Sequence, residues 1–398
     1  MQYNHFHDLK LSQLGMGNMR LPTLAERGPI DEARAREIIE YVYSQGVNYF
    51  DTAYRYHNGE SEPLVGQVLS QYPRETWHLA TKMPGHQMRL VDGKLEFTGY
   101  FGENATPMTP REIFEDQLAR CRVEYFDFYL LHNVSETSFD LYANADLGIV
   151  PYLREEQRAG RIRYLGFSSH GRPETLRRFL DEQGPFDFVQ IQLNYLDWTL
   201  QNARAQYEIL TERGIPVVVM EPIRGGRLAT LGAEATSWLA NARPQDSVAS
   251  WAFRWVRSLP NVLVTLSGMT TMEHARENVR TFAEPAPMSD EERALLERVA
   301  ATLVDQVPCT GCGYCLEECP QGLDIPRLIS LYNEMQFEIS PTVHFAIAAL
   351  AEEQMPSNCI ACGACARACP QGIDIPDVME RLAGRIEQIK AEGPFGRR

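Results

Sequence analysis

The sequence has no excess of basic residues, no long apolar run and no leader-like start, and each absence narrows what the chain does. Lys and Arg together number 38 against 53 Asp and Glu, a formal net charge of −15. A nucleic acid or an anionic membrane favours a basic face on its partner, so neither is expected here. No stretch of 18 apolar residues occurs, and the opening MQYNHFHDLK lacks a basic segment followed by an apolar one. The expectation is a soluble, unexported chain in a reducing cytoplasm. No G-x-G-x-x-G follows the first strand-like segment, which counts against an open dinucleotide-binding sheet. Cysteine is nearly absent before residue 309: Cys121 stands alone there, and the other eight fall in two tight groups. In a cytosolic chain such clustering points to metal rather than to disulfides. What the chain does have is length and apolar mass, 398 residues with 44 % hydrophobic and 10 % aromatic content. That is enough for two domains and a large core.

The first 285 residues or so alternate between strand and helix patterns. DEARAREIIEYVYSQG has a capping residue in Asp31, apolar Ala35, Ile38, Ile39 and Val42 on one face, and Gly46 to end it. Short β-rich runs recur as LSQLGMGNMR, NYFDTA, HLATKM, FDFYLLH, IRYLGFSS, FDFVQIQLN, IPVVVMEP and VLVTLSG, with helical patterns between them. Eight strand–helix units predict an α/β fold, a closed parallel (β/α)8 TIM barrel. The Pro-rich AEPAPMSD (residues 283–290) then reads as a linker, with Ser289 or Asp290 capping a helix through EERALLERVAATL. The expected division is a barrel over 1–285, linker and helix over 286–305, a second domain over 306–390 and a flexible tail over 391–398.

The second domain is an internal repeat. CTGCGYCLEECPQGLDIP begins at Cys309 and CIACGACARACPQGIDIP at Cys359, an offset of 50 residues. Each copy is C-x2-C-x2-C-x3-C-P. Three thiolates at this spacing wrap three corners of an iron–sulfur cubane, and the fourth cysteine of each run ligates the other cluster. The assignment is Cys309, Cys312, Cys315 and Cys369 to one 4Fe–4S cluster, and Cys359, Cys362, Cys365 and Cys319 to a second. A structural zinc site is the alternative, but zinc sites pair two short C-x2–4-C units rather than use this pattern. Cys121 sits in a helical pattern and reads as a small buried hydrophobe. The 39 residues between Cys319 and Cys359 carry two helical patterns, IPRLISLYNEM and PTVHFAIAALAEEQ. The domain therefore resembles the α-helical type of two-cluster ferredoxin, an electron-transfer module. A domain this small and loop-rich needs its clusters for stability as well.

The barrel residues resemble the aldo-keto reductase family over about residues 8–280, beginning with GVNYFDTAYRYHNGESEPLVG. The family's catalytic Asp, Tyr, Lys and His map onto Asp51, Tyr56, Lys82 and His132, each at or just after a strand end. Barrel active sites are built at such ends. Carbonyl reduction needs a proton donor, and a tyrosine with a pKa near 10 is a poor acid at neutral pH. A Lys ammonium beside it stabilises the phenolate, and a carboxylate holds the ammonium in place. The resemblance further implies a cofactor, NAD(P)H with NADP slightly favoured, bound through Ser168 and Gln190 at the nicotinamide amide. Met220 would lie against the nicotinamide ring, and Gly268, Thr270, His274, Glu277 and Asn278 at the adenosine end. Four positions depart from the pattern: Ser169 replaces an Asn, Met220 with Glu221 stands where a stacking aromatic and a small residue are usual, and His274 stands where many relatives have Arg or Gln for the adenosine ribose. The segment Pro84–Met108 reads as a long loop on the catalytic face, with Phe97, Tyr100 and Phe101 either lining the pocket or packing the loop down.

Nicotinamide transfers two electrons as hydride, whereas a 4Fe–4S cluster passes one. Three readings follow. The first is an NAD(P)H-dependent aldehyde or ketone reductase, reversible as an alcohol dehydrogenase, whose clusters serve electron transfer or coupling to a redox partner such as a ferredoxin or flavoprotein. The second is a ferredoxin-type reductase fed by one-electron donors without nicotinamide. The third is a non-catalytic electron carrier or scaffold.

Overall fold

The computed structural model describes the chain except residues 26–27, 86–87, 92–93, 98–105, 286–287, 304–306, 308, 310–312, 338, 370 and 393–398. Of 89–91, 94–97, 106–107, 314, 317 and 337 it describes the backbone alone. Phe97's side chain, Tyr100, Phe101, Cys312 and most of the 391–398 tail therefore lie outside the described residues.

The chain opens with an antiparallel hairpin, β1 (Tyr3–Phe6) and β2 (Leu9–Ser12). The barrel begins with β3 (Leu14–Gly17), helix α1 (Glu32–Ser44), β4 (Tyr49–Asp51), α2 (Ser61–Leu69) and β5 (His78–Met83). Three short antiparallel strands follow, β6 (Met88–Val91), β7 (Lys94–Phe97) and β8 (Thr106–Pro107). The alternation resumes with α3 (Pro110–Cys121), β9 (Phe126–Val134), α4 (Phe139–Ala143), α5 (Ile149–Arg158) and β10 (Ile162–Ser169). It continues through α6 (Pro173–Gln183), β11 (Phe188–Gln192), α7 (Asp197–Leu200), α8 (Ala203–Glu212) and β12 (Val217–Met220). Helices α9 (Ala233–Ala242) and α10 (Val248–Arg257), strand β13 (Val262–Ser267) and α11 (Met272–Ala283) complete it.

The eight expected strands close in the order β3-β4-β5-β9-β10-β11-β12-β13, every neighbouring pair parallel. A parallel sheet covered by helices is buried on both faces, which is why β5 and β11 are buried at every position. Helix α1 forms as its periodicity predicts: the Asp31 carboxylate accepts from the Arg34 backbone N–H, and Ala35, Ile38, Ile39 and Val42 are its buried face. Two features add to the expected alternation. The β1–β2 hairpin brings Phe6, Leu9 and Leu11 against Tyr49, Phe128, Tyr164 and Phe188, near the starts of their strands. Phe6 lies 4.7 Å from the Tyr164 ring and 5.9 Å from Phe128, so the hairpin plugs the end of the barrel opposite the catalytic face. The segment read as a loop after β5 contains β6–β8 instead. Among the described residues its strands pair with one another and not with the barrel, so no barrel periodicity reveals them.

The residues fall into two compact units, 1–198 with 202–295, and 199–201 with 296–398. Helix α12 (Asp290–Leu303) starts with a reciprocal cap, Ser289 N–H to Glu292 Oε2 at 2.9 Å and Glu292 N–H to Ser289 Oγ at 3.3 Å. The C-terminal region is helical: α13 (Tyr314–Glu317), α14 (Ile325–Phe337), α15 (Pro341–Ala348), α16 (Ala364–Ala368) and α17 (Ile375–Glu392). The sequence repeat is a structural repeat. Gly313 and Gly363, at φ 82° and 73°, turn the chain left-handed before the short helices α13 and α16, and α14 and α17 follow in each copy. A side chain at that φ is strained, which fixes glycine between the second and third cysteine of each run. Leu328, Ile329, Val378, Leu382 and Ile386 form the core between the copies.

Candidate active site and cluster site

Asp51 ends β4, Lys82 lies near the end of β5, His132 near the end of β9, and Tyr56 follows β4 in the loop before α2. Because β4, β5 and β9 are neighbours, these strand ends converge. Lys82 is fully buried and Asp51 is 2 % exposed. The Lys82 ammonium donates to Asp51 Oδ1 and to the Thr52 carbonyl, both at 2.7 Å, and to the Tyr56 hydroxyl at 3.4 Å. It also stands 4.9 Å from the centre of the Tyr56 ring. Burial raises the Asp51 carboxyl and lowers the Lys82 ammonium, and their contact opposes both shifts. The half-buried His132 presents its ring edge-on to Tyr56, centroids 5.9 Å apart at 81°.

The Tyr56 loop is held in an unusual backbone. His57 and Asn58 both have φ 52°, and Gly59 has φ 94°. Two successive non-glycine residues in this region cost roughly 1–2 kcal/mol each, so the surroundings must over-determine the turn. One restraint is visible: His57 Nε2 accepts the Leu21 backbone N–H at 3.1 Å, and burial lowers the His57 pKa.

The expected nicotinamide residues also stand together, since Ser168 and Gln190 are register partners on β10 and β11. The Ser168 hydroxyl already accepts the Asn133 backbone N–H at 2.8 Å. Beside it, buried Ser169 Oγ and Gln190 Oε1 have no hydrogen-bond partner among the described residues. Gln190 Nε2 reaches Met220 Sδ at 3.5 Å. Orphaned buried polar atoms are costly without a ligand, so a carboxamide fits this spot. Glu221, at φ 54°, pairs with Arg20 at 3.5 Å. After β13, Thr270 donates to the Arg20 carbonyl at 2.9 Å, and Gly268 stands against Arg20. His274 is exposed, with its N–H capped by Thr271 at 3.2 Å. Glu277 is half-buried, and the Asn278 amide donates to Ser267 Oγ at 2.9 Å, locking α11 to β13.

Several residues at this face carry no sequence signal. His170, just beyond β10, is pushed down to about 4 by burial and by the Lys82 ammonium. Asp197 accepts from Gln192 at 2.8 Å and from Asn194 at 2.5 Å, and pairs with buried Arg224. Asn194 also donates to the Glu221 carbonyl at 3.0 Å, tying this network to the β12 loop.

In the C-terminal region Cys319, Cys359, Cys362 and Cys365 line one pocket, with Pro320, Leu323, Ile375 and Met379. Burial raises the Cys365 thiol, and Cys319, Cys359 and Cys362 are close enough to add to that. The pocket draws three cysteines from one run and the fourth from the other, as the spacing implies. Four thiol ligands drawn together in this way are the donor set a 4Fe–4S cluster takes. Cys309 and Cys369 pack against the core that contains Cys315, and Cys121 is buried at the end of α3.

A closed parallel barrel with polar strand ends, joined to a cysteine-ligand domain, defines a (β/α)8 oxidoreductase with an iron–sulfur module. The family model "Aldo/keto reductase family" matches residues 13–301, and "4Fe-4S dicluster domain" matches residues 308–373. The chain belongs to the aldo/keto reductase family. It is 26 % identical to the NADH-specific methylglyoxal reductase of Escherichia coli over 329 residues, covering 74 % of this chain and 97 % of that protein. It is 32 % identical to "Probable aldo-keto reductase 1" of Glycine max over 217 residues, 54 % of this chain and 57 % of that one. The holo form of an aldo-keto reductase from Bacillus halodurans superposes with a TM-score of 0.59 at 26 % identity, over 75 % of this chain and 96 % of that structure. Among the described residues, no helix is long and apolar enough to cross a membrane.

Proposed function

We propose that the chain reduces an aldehyde or ketone with NAD(P)H, and runs in reverse as an alcohol dehydrogenase, through Asp51, Tyr56, Lys82 and His132. One observation supports this above the others: the Lys82 ammonium stands 3.4 Å from the Tyr56 hydroxyl while Asp51 and the Thr52 carbonyl hold it at 2.7 Å. Reduced nicotinamide, when bound, supplies the hydride. Ser168 and Gln190, with the unpartnered Ser169 hydroxyl beside them, would hold its carboxamide. Tyr56 gives its hydroxyl proton to the carbonyl oxygen, and Lys82 stabilises the phenolate left behind. Asp51 keeps Lys82 charged and in place, and His132 orients the carbonyl oxygen. Of the two nicotinamide cofactors, NADP is slightly favoured. In the C-terminal domain the eight cysteines hold two 4Fe–4S clusters, which pass single electrons to or from a redox protein partner. The absence of a basic excess keeps nucleic acid outside this reading, and the commitment of eight of nine cysteines to cluster motifs supports a reducing cytoplasm.

A second reading has its own observation. Met220 and the Arg20-paired Glu221 stand where a ring-stacking aromatic and a small residue are usual, which favours reduction by a one-electron donor without nicotinamide. An anaerobic comparison of NADH, NADPH and reduced viologen on cluster-loaded protein separates the two. NAD(P)H turnover that persists after the clusters are removed and vanishes in Tyr56→Phe is the expected result; turnover with viologen alone overturns the first reading.

A further inference from the structure

Beneath the phenol–ammonium pair lies a buried network that the chemistry above leaves unused. Glu62, in the first turn of α2, is fully buried. Its Oε1 accepts from Thr81 Oγ1 at 2.6 Å and from Gln117 Nε2 at 2.7 Å, and its Oε2 lies 3.1 Å from Arg120 Nε. Each partner reaches further. Gln117 Nε2 also donates to the Lys82 carbonyl at 3.1 Å, and the Tyr129 hydroxyl donates to Gln117 Oε1 at 2.5 Å. Arg120 donates to the carbonyls of Tyr54, at 3.2 Å, and Gly59. Tyr54 and Gly59 bracket Tyr56, and Thr81 and Lys82 are adjacent on β5.

We propose that Glu62 is a positioning residue. Its one buried carboxylate fastens both the strand that carries Lys82 and, through Arg120, both ends of the loop that carries Tyr56, and so sets the distance between hydroxyl and ammonium. The proposal rests on the reading of Tyr56 as proton donor. Simple packing would not select this arrangement, because a buried ion network gives the fold little that apolar side chains could not. What it gives is geometry. The left-handed residues His57, Asn58 and Gly59 lie inside the span that Arg120 grips, where a free loop would relax. The charged and titratable groups around the pair are Asp51 and His132 at the strand ends, His170 beside Lys82, Glu62 beneath it, and Asp116 and Arg120 on α3.

The test is Glu62→Asp in the full, cluster-loaded chain, with Arg120→Lys as a second variant that keeps the charge and half-exposed side of the network. Asp is one methylene too short to reach Thr81, Gln117 and Arg120 together. A displacement near 1 Å at a reacting group costs up to about 100-fold, so kcat should fall roughly 10- to 100-fold in Glu62→Asp. KM for cofactor and carbonyl should stay within about twofold, since neither ligand touches the network. With the charge kept, a longer hydroxyl–ammonium distance stabilises the phenolate less, and the basic limb of the pH–rate profile moves to higher pH in both variants. A profile that stays put with kcat unchanged, or a loss confined to KM, overturns the proposal. If Glu62→Asp does not fold, Arg120→Lys alone decides by the same two readouts. Wild-type activity that survives Tyr56→Phe would instead overturn the proton-donor reading, and this proposal with it.

Discussion

Replacing Lys82 by Met removes the ammonium and keeps most of the side-chain volume. Two unit charges 3.4 Å apart interact by about 5 kcal/mol at an effective dielectric near 20, so the ammonium favours the Tyr56 phenolate. Asp51, 2.7 Å from the same ammonium, offsets part of this attraction. Reduction should fall about 10²- to 10⁴-fold, as expected when a positioned acid is lost. Stability should fall as well, because the variant leaves Asp51 buried without its cation, a change of about 3–5 kcal/mol. Its pH dependence has a definite sign. Burial already raises the Asp51 carboxyl above its ordinary 3.8, and losing Lys82 raises it further. A carboxyl raised in the folded state favours folding while protonated, so the variant is least impaired at low pH and loses stability as pH rises through the folded value. Steady-state rates with a panel of small aldehydes and urea unfolding at pH 5.5 and 8 measure both effects. Rates within about threefold of wild type, or a deficit that does not grow with pH, would refute the argument.

Cys319→Ser should lower iron from about eight atoms per chain towards four and destabilise the C-terminal domain, whereas Cys121→Ala should leave iron unchanged; equal iron in wild type and Cys319→Ser sinks the shared-ligand assignment. Gly66→Ala would place a Cβ 2.4 Å from the Cys121 carbonyl oxygen and 2.7 Å from its Cα, a backbone clash between α2 and α3. It should cost about 1–3 kcal/mol, and a melting temperature unchanged to about 1 °C would contradict it. His170, lowered to about 4, remains neutral when folded while an unfolded histidine near 6.5 takes up a proton. Its contribution to stability is therefore present above pH 6.5 and lost as pH falls through 4, so His170→Gln should lose less stability over that window than wild type does.

The periodicities were legible because they repeat. Eight β-rich runs separated by amphipathic helices leave few folds open, and the buried face of α1 at Ala35, Ile38, Ile39 and Val42 is the one its spacing marks. The hairpin at residues 3–12 and the β6–β8 insert escaped because each is too short to show a period of its own. The cysteine runs were legible in a stronger sense, because ligand count and spacing are properties of the chain itself, and Cys319 lines a pocket with Cys359, Cys362 and Cys365.

What the sequence could not carry was which polar side chains share a buried anion. Glu62, Thr81, Gln117, Arg120 and Tyr129 come from four elements up to 67 residues apart in the chain, and only the barrel's strand order brings β5 beside β9 with α2 and α3 against them. Residue type and local spacing thus set the fold class and the ligand runs, since each depends on neighbours along the chain, while the candidate tetrad came from the resemblance to the aldo-keto reductases. The 3.4 Å between hydroxyl and ammonium, the orphaned atoms of Ser169 and Gln190, and the lowered His170 belong to tertiary structure alone. They arise from burial and from close approach between segments distant in sequence, and neither is encoded in any one stretch of it.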